Sequence, residues 1–96
     1  MSQFTVSANE LSKKHDSLSA LKNTLKSQID QFEAEGKKLD SMWEGEAKAK
    51  YSAAFTLDIT KLKMFLKLVE DFLIILTTII SLYRSTEQKN ISVASS

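Results

Sequence analysis

The sequence contains no cysteine, no proline and only two glycines among its 96 residues. Without cysteine the chain forms neither a disulfide nor a thiolate metal site. The absence of cysteine is compatible with an oxidising or a reducing compartment. Because so few residues favour a change of direction, Gly45, which lies two positions after the only tryptophan, marks the place where the turn is expected. A basic excess is also lacking, since the formal net charge is +1, and binding to nucleic acid is therefore not expected.

Long apolar segments are absent as well. The most apolar stretch, Phe72 to Tyr83, is much shorter than the ~20 residues that a membrane-spanning helix needs. The first residues, Met1 to Val6, do not combine a positive region with an apolar run, so we expect no secretory signal peptide. A composition that is 43% hydrophobic and 26% charged is typical of one small globular domain.

The sequence shows no pattern typical of a catalytic or cofactor-binding site. His15 is the only histidine, and we interpret it as a surface or flanking residue. One histidine without cysteine cannot supply the usual zinc ligands, and no glycine-rich phosphate-binding loop occurs. Acidic residues gather near the middle of the chain, where a solvated end of a helical bundle accounts for them: Glu33, Glu35, Asp40, Glu44 and Glu46. We predict that the protein is not an enzyme and has no cofactor or metal.

Apolar residues at helical spacing predict a first helix over about residues 8–41. Ser7 and Glu10 fit a capping box, in which the Ser7 hydroxyl accepts from the Glu10 amide and the Glu10 carboxylate reaches back to Ser7. Behind this start an apolar residue recurs every seven positions: Leu11, Leu18, Leu25, Phe32 and Leu39. Gly36 interrupts the helix, and we interpret it more readily as a tolerated glycine than as a point of close helix–helix approach.

A second helix is predicted over about 46–89, after a turn at about 42–46 that contains Trp43 and Gly45. Its own seven-residue series is Phe55, Leu62, Val69, Leu76 and Tyr83. Two long helices with a short connection predict an all-α fold, an antiparallel two-helix hairpin ~55 to 60 Å long. The hairpin is expected to form one domain over 1–90, followed by a flexible tail at 91–96.

One hairpin alone would leave a further apolar row of the second helix in water. Exposed apolar surface of this extent is typical of an interface, and a second copy would cover it in a four-helix bundle with twofold symmetry. A different helical partner would satisfy the same surface. The residues predicted at the dimer interface are Met64, Leu68, Phe72, Ile75, Ile79 and Leu82.

At its midpoint the chain resembles a known family. Trp43-Glu44-Gly45, at a predicted turn between two helices in a chain of this length, is similar to the motif of the W-x-G family of small proteins. These proteins are exported by type VII (ESX- or Ess-type) secretion systems of mycobacteria and Gram-positive bacteria, and they include the ESAT-like early secreted antigens. Tyr83, followed four positions later by Glu87, resembles the second family element. The resemblance implies that the W-x-G turn and this pair form one export signal.

The resemblance also implies export without a cleaved signal peptide after folding in the cytoplasm, with the ATPase of the secretion machinery as a partner. Because about 40 residues of helix separate Trp43 from Tyr83, we expect an antiparallel homodimer to bring the two motifs together. Two alternatives stay open. One is a cytoplasmic adaptor that pairs with a paralogue or a larger substrate, and the other is an effector that opens its bundle at a membrane.

Overall fold

The computed structural model describes residues 6–95, with side chains through Ile91, and within this range it contains two α-helices and no strand. Helix α1 spans Ala8–Met42, helix α2 spans Gly45–Ser95, and only Trp43 and Glu44 connect them. The helices pack side by side in opposite directions, and the molecule measures 77 × 21 × 17 Å. The predicted all-α antiparallel hairpin is confirmed.

Helix α2 continues beyond its predicted end. It reaches Ser95 rather than about Lys89, so helical backbone covers most of the segment expected to form a flexible tail. No glycine or proline follows Gly45, and the sequence therefore contains no signal that ends the helix. The 51 residues of α2, at about 1.5 Å each, also explain why the hairpin is longer than predicted.

The start of α1 is capped partly as predicted. The Ser7 hydroxyl accepts from the Glu10 backbone N–H at 3.1 Å, and the Ser7 carbonyl accepts from the Leu11 N–H at 3.1 Å. In the part of the chain that the structure describes, the Glu10 carboxylate makes no return bond to Ser7. Instead Glu87, on α2, accepts from the Ala8 N–H at 2.7 Å. The predicted return bond from the Glu10 carboxylate to Ser7 is therefore wrong. A carboxylate from the other helix accepts a hydrogen bond from the first turn instead.

The two helices meet along a seam formed by one row of residues on each, repeating every seven positions. The row of α2 is apolar and buried: Ile59, Leu66, Leu73 and Ile80. The row of α1 contains three buried residues and two half-buried polar ones: Ala8, Ile29 and Gly36, then His15 and Lys22. The two predicted series lie beside these rows, half-buried or exposed. Small residues allow the helices to approach at the seam, and the larger side chains pack along its margin.

The helices approach each other closely at Gly36. A Cβ atom on Gly36 would lie 2.7 Å from Cε1 of Phe55 and nearer still to two other atoms of that ring. The ring of Phe55 therefore lies directly against the backbone of α1. Our interpretation of Gly36 as a merely tolerated glycine is wrong, because any side chain there would meet this ring.

Candidate functional site

The W-x-G turn forms the closed end of the hairpin. Trp43 ends α1 in an extended conformation, and its N–H donates to the Asp40 carbonyl at 3.3 Å. Gly45 begins α2 with a φ of 77°, in the left-handed region that L side chains rarely adopt. Apart from its two chain neighbours and the nearby backbone of its own helix, no part of the described chain lies within 4 Å of the position that a Gly45 Cβ would take. Glycine is needed here for its backbone conformation and not for space.

A chain of aromatic contacts runs from Trp43 into the hairpin. The Trp43 ring meets Tyr51 edge-on at a centroid distance of 4.6 Å, and Tyr51 stacks on Phe55 at 5.7 Å. Phe55 in turn meets Phe32 of α1 edge-on at 5.4 Å. The indole of Trp43 packs on this cluster, yet the residue remains 38% exposed. Part of Trp43 supports the fold, and part is available to a partner.

Sequence reasoning did not connect Tyr51 with the W-x-G turn. The Tyr51 hydroxyl donates to the Gly36 carbonyl at 3.1 Å and so joins the two helices beside the close approach of Phe55. The signal was present in the spacing, because Tyr51 and Phe55 are four residues apart and share one face of α2. What the spacing could not tell is that this face meets Gly36.

Polar contacts join the helices near the same end. The Ser52 hydroxyl donates to the Asp40 carboxylate, and Lys48 Nζ lies 3.9 Å from the other Asp40 oxygen. Further along, Lys63 Nζ donates to Glu33 Oε2 at 3.0 Å. This hydrogen bond, together with the charge of Lys63, holds the pKa of the Glu33 carboxyl below its usual value. Two acidic residues of α1 near the turn, Glu33 and Asp40, are therefore paired with groups on α2.

The Tyr83–Glu87 pair lies at the opposite, open end, beside the start of α1. Glu87 is held there by its hydrogen bond with the Ala8 N–H, and Tyr83 is exposed. Together with the beginning of α1 they border a groove of about 410 Å³, lined by Val6, Ser7, Glu10, Tyr83, Thr86, Glu87 and Asn90. The structure thus brings Tyr83 and Glu87 together at one site. It keeps both far from Trp43 within one chain.

The residues predicted at the dimer interface form an exposed stripe on α2, here called the outer stripe. Leu68 and Ile75 each lie two positions after a buried seam residue, about 200° around the helix, and therefore point away from α1. Ile79 is half-buried, and the other five members are 50% to 65% exposed: Met64, Leu68, Phe72, Ile75 and Leu82. None of the helices described over 6–95 is long and apolar enough to cross a membrane.

A second apolar surface follows one side of the seam and includes both helices. The contact between Phe32 and Phe55 indicates that the predicted series of α1 and α2 lie on this same side. Several large side chains remain exposed or half-buried along it, and we call them the flank band: Leu21, Leu25, Phe32 and Leu39 of α1, with Phe65, Val69 and Leu76 of α2. Sequence reasoning expected the predicted series to be covered by the pairing of the two helices and did not predict this second exposed surface.

His15 lies in the seam, half-buried, rather than on the free surface. Its Nε2 atom is 3.3 Å from the Thr77 hydroxyl of α2, and its Nδ1 atom is 3.3 Å from Asp16. Over residues 6–95 no group of three or more histidine, aspartate or glutamate side chains is placed to hold a metal ion. His15 is thus used in the contact between the helices.

A two-helix hairpin with a W-x-G turn defines a class of small helical secretion proteins, and a comparison with protein families agrees. The model of the family described as proteins of 100 residues with WXG (WXG100) matches residues 3–88. The chain belongs to the WXG100 family. Its members are small, helical, secreted-type proteins of type VII systems and are not known enzymes. No curated protein and no solved structure matches the chain.

Proposed function

We propose that this protein is exported by a type VII secretion system as a homodimer and acts through protein–protein contacts, as a substrate or effector. The observation that carries the proposal is the position of the two motifs at opposite ends of one hairpin. Trp43 and Gly45 lie at the closed end, while Tyr83 and Glu87 lie at the open end. Neither end alone presents both motifs.

An antiparallel dimer resolves this separation. It places the closed end of one protomer beside the open end of the other, so Trp43 of one copy lies near Tyr83 and Glu87 of its partner, twice by symmetry. The secretion machinery, including its ATPase, would read this composite surface on the folded dimer. Export then follows folding in the cytoplasm and needs no cleaved signal peptide.

The flank band is the best surface for the centre of this dimer. A four-helix bundle requires both helices of each hairpin to contribute, and the flank band includes α1 and α2, whereas the outer stripe lies on α2 alone. Phe72 and Ile79 border both surfaces, so the outer stripe would join the interface at its margin. At ~25 cal/mol per Å² of apolar area, burial of several such side chains supplies several kcal/mol toward association.

Matched substitutions on the two surfaces test the dimer. Leu21 in the flank band and Leu68 in the outer stripe are 66% and 65% exposed, so Leu21→Asp and Leu68→Asp introduce the same charge at equally accessible positions. In light scattering at micromolar concentration we expect Leu21→Asp to give monomers and Leu68→Asp to weaken the dimer less. Gln31→Asp, at another exposed position of α1, is the control. A wild-type monomer would contradict the proposal, and the reverse order would place the interface on the outer stripe.

Export is tested with one substitution in each motif. Trp43→Ala and Tyr83→Ala are each expected to reduce the intact protein in the culture supernatant while the intracellular dimer persists. Lys50→Ala changes an exposed residue of α2 outside both motifs and should be exported like the wild type. If both motif variants remain dimeric and leave the cell at normal levels, the composite export signal is wrong.

A second candidate function is that of an adaptor, which pairs with a paralogue or a larger substrate and is exported with it. The outer stripe favours this function, because a homodimer centred on the flank band leaves Met64, Leu68 and Ile75 largely exposed. Mixing the purified homodimer with a candidate partner distinguishes the two functions. Exchange into a heterodimer supports the adaptor, and an unchanged homodimer supports the first proposal.

A further inference from the structure

Glu87 joins the two helices at the open end of the hairpin through a hydrogen bond. Its Oε1 accepts from the Ala8 backbone N–H at 2.7 Å, between residues 79 positions apart, and Ala8 is only 1% exposed. A carboxylate at this position faces the positive end of the α1 dipole, and hydrogen bonds to ionised groups are stronger than neutral ones. The contact therefore holds α2 to the first turn of α1.

Among residues 6–95, the other groups around this turn form no hydrogen bond with the Ala8 amide. The Ser7 hydroxyl bonds the Glu10 N–H, and the Ser7 carbonyl bonds the Leu11 N–H. The seam is also weak in apolar contact here, because His15 and Lys22 occupy the row of α1 that Ile29 and Gly36 occupy further along. The Glu87–Ala8 hydrogen bond is thus the specific polar contact that joins the helices beside Tyr83.

We propose that Glu87 is a positioning residue, whose carboxylate fixes the start of α1 against α2 and thereby forms the groove in which Tyr83 is presented. This inference rests on the proposed export function and deepens it. The secretion machinery contacts Tyr83 and the groove formed by both helices. It does not contact the Glu87 carboxylate directly, because that charge acts by holding α1 in place. Opening of this end removes one wall of the groove.

Three substitutions separate positioning by Glu87 from direct reading of its charge. Glu87→Gln removes the charge but keeps an oxygen that can accept from the Ala8 N–H. Glu87→Ala removes both. Ala8→Pro deletes the donor instead, at the first helical position where proline is favoured, and the extended conformation of Ser7 is one that tolerates a following proline. Gln88→Ala, at the adjacent exposed position, is the control.

Amide exchange measured by NMR on the full chain tests the contact itself. We expect Glu87→Ala to raise the exchange rate of the Ala8 amide about tenfold, which corresponds to loss of one charge-assisted hydrogen bond. Glu87→Gln should raise it less, and Gln88→Ala should leave it unchanged. An unchanged rate in Glu87→Ala would show that this hydrogen bond does not hold the open end in solution.

Export of the same variants tests its consequence. We expect Glu87→Gln to be exported close to the wild-type level, and Glu87→Ala and Ala8→Pro to be exported poorly although they remain helical. If Glu87→Gln is lost as completely as Glu87→Ala while its Ala8 amide stays protected, the charge is read directly and the inference is wrong. Normal export of Glu87→Ala also overturns it. Failure of the composite signal is distinct, because Trp43→Ala and Tyr83→Ala would then be exported normally.

Discussion

The two halves of the hairpin are built differently along the same seam. In the closed half, residues 26–67, the row of α1 contributes Ile29 and Gly36, the aromatic cluster packs around Phe55, and polar pairs such as Glu33–Lys63 border it. In the open half, residues 8–25 and 68–91, the same row contributes Ala8, which is buried, and the half-buried polar residues His15 and Lys22. The closed half combines the aromatic cluster with hydrogen bonds between the helices, whereas in the open half polar side chains of α1 face the buried residues of α2.

This difference predicts that the two parts of the proposed export signal lie in regions of unequal local stability. Regions with few buried apolar contacts open at a lower free energy than the rest of a protein, and binding segments are drawn from such regions. The open half contains Tyr83 and Glu87, while the closed half holds the turn that keeps the helices paired. Substitutions in the closed half should therefore change global unfolding, and those in the open half should act mainly on local opening.

The largest effect is expected at Gly36, in the closed half. Gly36→Ala places a methyl group against the Phe55 ring, and we expect it to lower the free energy of unfolding by about 2 kcal/mol, as overpacked cores do. Urea unfolding at a fixed protein concentration measures this change. Combining it with Phe55→Leu should cost less than the sum of the two single changes, since the smaller side chain leaves room for the methyl group. Strict additivity would mean that the two residues do not interact.

An intermediate effect comes from removing one hydroxyl in each half. Tyr51→Phe deletes the bond to the Gly36 carbonyl, and we expect a loss of about 1 kcal/mol because Gly36 is buried. Thr77→Val deletes the contact with His15 and the hydrogen bond to the Leu73 carbonyl of the same helix, at an exposed position where a loss of only a few tenths of a kcal/mol is expected. The losses in stability of the two variants are compared by thermal unfolding. Equal losses would contradict the contrast between the halves.

The smallest effect concerns the pair of Lys63 and Glu33 at the margin of the closed half. The hydrogen bond from Lys63 lowers the pKa of Glu33 in the folded chain. The pair therefore stabilises the fold at pH values above the pKa of Glu33 in the unfolded chain, and this stabilisation is lost as the pH falls through its pKa in the folded chain. Lys63→Met should therefore lower the melting temperature slightly at neutral pH and not in strong acid. Lys61→Met, at an exposed position nearby, is the control. If Lys63→Met still melts at a lower temperature than the wild type in strong acid, the effect comes from lost packing and not from the lost charge.

The sequence was sufficient for the hairpin but not for its contacts. Helical spacing, the Ser7 cap and the glycine at the turn predicted two helices to within a residue or two everywhere except the end of α2. The seam was not predictable from the leucine series, because the central row of α1 mixes alanine, glycine, histidine and lysine and shows no apolar period. The hydrogen bond between Glu87 and Ala8 joins residues at opposite ends of the sequence and depends on how far the helices slide along each other.

The contact between Gly36 and Phe55, together with the short connection at Trp43 and Glu44, limits that sliding. If α2 moved by one heptad toward the start of α1, the Phe55 ring would face Ile29, whose branched side chain leaves no such gap. The missing Cβ atom and the two-residue connection therefore favour the same alignment of the two helices. Through that alignment they determine which residue stands opposite Ala8, nearly the full length of α1 away.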